Sequence, residues 1–198
     1  MWRRTGIRTM ETEMRDSKTG IRTEIQTEIR TNRLRIVPLQ MEYAKSLHAY
    51  ISDVDNARMM LFLPHDSWEE TVEFVRKAEL EWRKPRPEYY EFIVLLGGQN
   101  VGSVSAYMED DFRAGELGYI IDKRYWHQGI ATESMRALIT FSMEQLGLNH
   151  FTAHCDADNA GSRHVLEKLG MQLTDGSRRR KNRASDEEKT EYQYDLWV

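Results

Sequence analysis

Residues 126–133 read Trp126-His127-Gln128-Gly129-Ile130-Ala131-Thr132-Glu133, and the segments on either side decide what they form. Upstream lies an apolar run, Leu117-Gly118-Tyr119-Ile120-Ile121. Downstream, Met135, Leu138, Ile139, Met143 and Leu146 recur at helical spacing and predict one buried stripe. The order is therefore strand, short loop, helix. The first N–H groups of a helix have no partner within it and sit at the positive end of its dipole, so such a start binds phosphate. Gly129 and Ala131 lack bulk and would let an anion approach the main chain. The stretch reads as a pyrophosphate cradle or, equally, as a turn whose glycine serves packing alone. No Gly-x-Gly-x-x-Gly occurs and no Gly-Lys-Ser/Thr follows, which sets aside the Rossmann and P-loop readings.

A second segment favours the cradle. Phe151 to Asp156 predicts a strand, and Asn159-Ala160-Gly161-Ser162-Arg163-His164-Val165-Leu166-Glu167-Lys168-Leu169-Gly170-Met171 follows it. Asp158 or Asn159 can cap a short helix, Val165, Leu166 and Leu169 face a core, and Gly170 can close the C-terminus. Together these stretches resemble the GCN5-related N-acetyltransferases, and within them the RimJ/RimL-like branch. Trp126, Gly129, Ala131, Thr132 and Glu133 match the branch form of the phosphate loop. The Asn-x-x-Ser…Leu-Glu-Lys-Leu-Gly segment matches too, as does Thr-x-Arg-Leu-x-Ile-x-Pro-Leu at Thr31 to Leu39. The resemblance covers residues 28–198.

The rest of the chain predicts an α+β fold: a mixed, mostly antiparallel sheet of six or seven strands flanked by about four helices. Leu34 to Leu39 reads as the first strand and Met41 to Ile51 as a helix. Ser67-x-x-Glu70 is a capping box opening a second helix, with Trp68, Val72, Val75 and Trp82 on one face. Tyr89 to Leu96 and Val101 to Met108 flank Gly97-Gly98-Gln99-Asn100, a hairpin signal. Glu116 to Asp122, Met171 to Thr174 and Tyr192 to Val198 supply further strands. Arg178-Arg179-Arg180-Lys181 and Asp186-Glu187-Glu188 partly neutralise each other and read as a solvated hairpin. Residues 1–27 are different: Thr5-Gly6-Ile7-Arg8-Thr9 recurs as Thr19-Gly20-Ile21-Arg22-Thr23. This low-complexity stretch has little to bury and reads as an extension outside the catalytic domain, either disordered or pairing as a strand with a partner chain.

Composition narrows the class. A net charge of −4 over 198 residues argues against general nucleic-acid affinity. No apolar run approaches the roughly 18 residues of a membrane span, and no apolar core follows Arg3 and Arg4 as a secretory signal would need. One cysteine, Cys155, forms no internal disulfide, so the cytoplasm is the expected compartment. On its strand it reads as a small buried residue. No His/Cys/Asp/Glu cluster has metal-ligand spacing. A homodimer stays open.

The resemblance implies acetyl-CoA as co-substrate and acetyl transfer to a primary amine, a protein N-terminus or a small molecule, by direct attack without a covalent intermediate. It places the pyrophosphate against His127, Gln128, Gly129, Ile130, Ala131 and Thr132, an oxyanion donor and the pantetheine along Ile120 and Ile121, and the pantetheine arm on Asn159. Glu116 resembles the family's acidic base position, with Glu109, Asp110 and His154 as competitors; alternation along its strand would turn His154 away. Ser162 would stabilise the leaving thiolate, or else only satisfy backbone donors at the helix start. Met59 to His65, with Trp82 nearby, would line the acceptor pocket or merely pack. Two departures stand out. His127 occupies a loop position where this branch usually has glycine, harmless if its φ is negative and strained if positive. Leu166 stands where many relatives carry a thiolate-protonating tyrosine. These departures keep a non-catalytic CoA-binding sensor or scaffold as the alternative.

Overall fold

Gly97 and Gly98 take φ values of +57° and +84°, the positive pair that a two-residue type I′ turn requires. They join β3 (Tyr89–Leu96) to β4 (Gln99–Glu109) in the expected hairpin. The computed structural model describes residues 28–198, and the repeat at 1–27 lies outside the described residues. The other strands are β1 (Ile29–Arg30), β2 (Leu34–Pro38), β5 (Ala114–Ile121), β6 (His150–Asp156), β7 (Gln172–Lys181) and β8 (Glu188–Trp197). They form one sheet in the order β1-β2-β3-β4-β5-β6-β8-β7. Every neighbouring pair is antiparallel except β5 and β6.

Helices cover both faces. α1 (Ala44–Ile51), α2 (Val54–Ala57) and α3 (Trp68–Trp82) pack through Leu47, Ala57, Val75 and Ala78 onto Ile93, Leu95 and Ile120. On the other face, α4 (Ile130–Leu146) and α5 (Ala160–Lys168) pack through Met135, Leu138, Ile139 and Leu166 onto Phe92, Val94, Leu117 and Phe151. The sheet is thus buried on both sides, which explains the near-continuous apolar runs of β3 and β5.

Eight strands replace the expected six or seven, because the Ile29–Arg30 strand is too short to show as a sequence run. The extra helix, α2, is a single turn nucleated by Asp53, whose carboxylate accepts from the N–H groups of Asp55 and Asn56. Two finer expectations are corrected and a third holds with one exception. Met143 is exposed rather than part of the α4 stripe, and Phe141 is buried instead. Trp68 is also exposed, edge-on to His48. The basic run 178–181 lies in the expected hairpin, on β7, with Arg178, Arg179 and Lys181 exposed and Arg180 the exception. Arg180 is buried there, because its guanidinium pairs with Glu191 at 3.2 Å and donates to Asn182 Oδ1 at 2.9 Å.

The hairpin tip also ties back to the body. Arg183 pairs with Asp66 and Glu70 and donates to the Phe62 carbonyl, while its own N–H donates to the Met60 carbonyl. Truncating Leu138 to alanine in the α4 stripe is expected to cost about 2–5 kcal/mol, whereas Met143→Ala costs under about 0.5 kcal/mol. Urea unfolding of the two variants checks that order.

Candidate active site

The parallel strands β5 and β6 pair at only three positions, Ala114 with His150, Gly115 with Phe151 and Glu116 with Thr152. Beyond Glu116 they diverge, and α5 follows β6 on the far side of the gap. Inter-strand bonds alternate sides along a strand, so N–H groups of Leu117–Ile121 on the β6 edge face this gap instead of a carbonyl. Ile120 and Ile121, expected beside the thioester, are buried on opposite faces of that segment.

The two faces of the gap carry different chemistry. Glu116 lies on the α1–α3 face, its side chain 42% exposed, and His154 Nδ1–H donates to its carboxylate at 3.1 Å. His154 does face the side of its strand opposite to Ala153 and Cys155, and that side is the one Glu116 occupies: Thr152 is in register with Glu116, so His154, two residues on, points the same way. The Glu116 carboxylate holds the imidazole above its ordinary pKa, against burial, which lowers it. Of the other competitors, Glu109 accepts from the Thr152 hydroxyl at 3.1 Å. Asp110 lies in a left-handed turn with Asp111 and Phe112.

On the α4–α5 face, the Tyr119 hydroxyl lies 2.7 Å from Ser162 Oγ and 3.2 Å from the Ser162 carbonyl, bridging the gap from β5 to α5. Burial pushes the Tyr119 hydroxyl strongly upward, so it stays protonated. Asn159 Oδ1 accepts the Ser162 N–H at 3.0 Å as the α5 cap, which leaves its amide N–H₂ as the group able to serve a ligand. Cys155 is buried and its thiol pushed up to about 11 by burial, as suits a packing residue.

The expected phosphate loop follows β5. Gly129 caps α4 at φ +75°, and the first helical bond runs from the Glu133 N–H to the Gly129 carbonyl at 3.0 Å. The N–H groups of Ile130, Ala131 and Thr132 precede that bond and point out of the helix start. His127 adopts φ +60° and is exposed, so it fills a glycine-type position at some cost in strain. Trp126 anchors the loop by donating its indole N–H to the Ile121 carbonyl at 2.8 Å. Across the loop, Arg33 pairs with Glu133 at 2.6 Å and donates to the Gln128 carbonyl at 3.1 Å. Burial alone would raise the Glu133 carboxyl, but bonds from the Thr31 hydroxyl and Arg33 overcome it and hold it below the usual range.

Other residues take the packing alternative of the sequence reading or escaped it. Trp82 packs edge-on against Tyr90 and Phe92 and donates to the Glu91 carbonyl, so it belongs to the core and not to an acceptor pocket. In the 59–65 segment, Met60 and Leu63 pack on the core and Phe62 is 77% exposed. Glu91 was missed. It is buried on the same face as Glu116, where the Tyr107 hydroxyl donates to it, and Tyr107 is the cross-strand neighbour of Glu116. Burial pushes the Glu91 carboxyl up to about 7, although the bond from Tyr107 acts in the opposite sense. A lone charge inside Tyr-Tyr-Glu-Phe-Ile-Val was the available signal.

This arrangement, a mixed sheet opened between two parallel strands with a glycine-capped helix below the opening, is that of an acyl-CoA-using transferase. A family model described as "Acetyltransferase (GNAT) domain" matches residues 33–172. The chain belongs to that family and is an acetyl-CoA-dependent acyltransferase. It is 25% identical over 146 residues to an uncharacterized N-acetyltransferase of Bacillus licheniformis, p20, covering 72% of this chain and 80% of that one. An acetyltransferase from Salmonella typhimurium that modifies the N-terminal serine of a 50S ribosomal subunit protein superposes with a TM-score of 0.74 at 19% identity, over 85% and 96% of the two chains. The microcin self-immunity acetyltransferase MccE, solved with acetyl-CoA and AMP, superposes with a TM-score of 0.75 at 14% identity, over 85% and 94%.

Two measurements probe this geometry. The Glu91 carboxyl is held above its ordinary 4.5 in the folded chain, so the native state binds the extra proton between there and about 7. Stability should fall as pH rises through that window and level off above it. Denaturant unfolding at pH 5 and pH 8.5 should show that slope in the wild type and a flatter one in Glu91→Gln. His127→Gly removes the Cβ from a left-handed residue and is expected to raise stability by about 1 kcal/mol, read from the same unfolding curves.

Proposed function

We propose that the protein is an N-acetyltransferase that moves an acetyl group from acetyl-CoA to a primary amine by direct attack. The observation that carries this reading is the distribution of groups about the β5–β6 gap. A carboxylate, Glu116, lies on one face, and a hydroxyl pair, Ser162 with Tyr119, on the other. A donor arm lying on the α4–α5 side and an amine arriving from the α1–α3 side would meet in the gap. Holding two reactants so is worth several orders of magnitude, and an acetyl thioester needs no further activation.

Each residue then has a task. Ile130, Ala131 and Thr132 N–H groups, with those of Gln128 and Gly129, receive the pyrophosphate. The Asn159 amide holds the pantetheine arm, and a free N–H at Ile120 or Ile121 donates to the developing oxyanion. Glu116 removes the amine proton directly or through water, and His154 fixes its orientation. Ser162, backed by Tyr119, stabilises the departing thiolate and takes the place of the tyrosine that Leu166 lacks. Acidic Glu109 and Glu116 on the acceptor face suit a cationic partner, as a protein N-terminus or small amine is before deprotonation. The catalytic domain spans residues 28–198, and the cytoplasm suits both acetyl-CoA and a chain with one buried thiol.

Thiol release from acetyl-CoA, followed across a panel of N-terminal peptides and small amines, tests the reading. Glu116→Gln should lower kcat/KM by about 10²-fold and Ser162→Ala by at least about tenfold. Saturable CoA binding by calorimetry without turnover on any amine would instead favour the sensor or scaffold.

A further inference from the structure

Thr31 and Arg33, in the turn between β1 and β2, lie about a hundred residues from the phosphate loop and have no task in the mechanism above. Their side chains nevertheless end on it. Arg33 Nε donates to Glu133 Oε2 at 2.8 Å, and Nη2 reaches both Glu133 Oε2 at 2.6 Å and the Gln128 carbonyl at 3.1 Å. The Thr31 hydroxyl donates to the other Glu133 oxygen at 2.5 Å and accepts from the Leu34 N–H at 2.9 Å, which fixes the turn. Both carboxylate oxygens of Glu133 are thereby held.

The bond to Gln128 has a geometric consequence. In a trans peptide the carbonyl of one residue and the N–H of the next point in opposite directions. Arg33, by holding the Gln128 carbonyl on its own side, turns the Gly129 N–H to the opposite side of the loop. The flanking residues, His127 and Gly129, both sit at positive φ, a conformation that the backbone of His127 does not favour unaided. A second consequence is electrostatic. Glu133 lies in the first turn of α4, where an incoming phosphate would meet its negative charge, and Arg33 cancels that charge with a short, charge-assisted pair.

We propose that Arg33, clamped by Glu133 and Thr31, is the positioning residue of the phosphate loop: it aims the Gly129 N–H at the donor's phosphates and neutralises Glu133. It acts through the loop and is not itself a catalytic residue. The inference rests on the reading of residues 127–132 as the site for the pyrophosphate.

The test compares CoA, which carries the phosphates, with pantetheine, which has the same arm without them. Kd is measured by calorimetry for CoA and by NMR titration for pantetheine, on the full chain. Arg33→Ala should raise the Kd for CoA by about tenfold or more and leave that for pantetheine within about twofold. Arg33→Lys, which keeps the charge but not the fork, should recover part of the loss. An unchanged Kd for CoA in Arg33→Ala, or equal losses for both ligands, overturns the proposal, because a general loosening of the fold would not separate them. If Arg33→Ala does not fold, Arg33→Lys alone decides by the same ratio. A wild type that binds CoA no more tightly than pantetheine removes the phosphate-loop reading itself, and the role of Arg33 with it.

Discussion

Everything in the site depends on where the pairing of β5 with β6 stops. A parallel pair is held by evenly spaced bonds, and here it lasts for three residues before the strands part. On the far side β6 stays fully engaged with β8, from His150 with Trp197 to Asp156 with Glu191. The divergence is therefore not fraying at an edge. β5 is locked to β4 along its length, β6 to β8 along its length, and the opening between them is built into the middle of the sheet. Two hydrogen-bonded half-sheets border a gap whose walls are backbone, with side chains above and below.

Alternation along the strand then sorts the chemistry. Glu116 and Tyr119 are three residues apart and so fall on opposite faces, and each finds its partner there: His154 from β6 for the carboxylate, Ser162 from α5 for the hydroxyl. The polarity of the acceptor face extends further, through Tyr107 to the buried Glu91 and through Thr152 to Glu109. Uncharged hydroxyls and main-chain N–H groups dominate the donor side. A single strand thus places a carboxylate and a hydroxyl pair on opposite faces without any long loop.

The sequence revealed the parts of this arrangement that are local. Gly129 beside a helical stripe located the loop, the glycine pair at 97–98 located a hairpin, and Ser67 located a helix start; each is a short-range steric or capping requirement written in neighbouring residues. What escaped notice depends on segments remote in the chain. The contact of Arg33 with Gln128 and of Arg183 with Met60 and Phe62 leaves no trace in local pattern, because charged residues in turns look the same whether solvated or clamped. The register that brings His154 to Glu116 arises from a parallel crossover through α4, which alternation within one strand cannot supply. Glu91 is different: a solitary carboxylate within an apolar strand is legible, and its burial follows from the helices covering that face.

The Arg183 clamp gives the α1–α3 face a mechanical character of its own. By tying the tip of the β7–β8 hairpin to the 60–70 segment, it makes two remote surface elements into one frame over the polar face of the sheet. Changes of length or sequence at that tip would be transmitted first to the 60–70 segment that Arg183 holds. If the polar face receives the acceptor, as proposed above, the choice of acceptor can diverge at the periphery of the molecule.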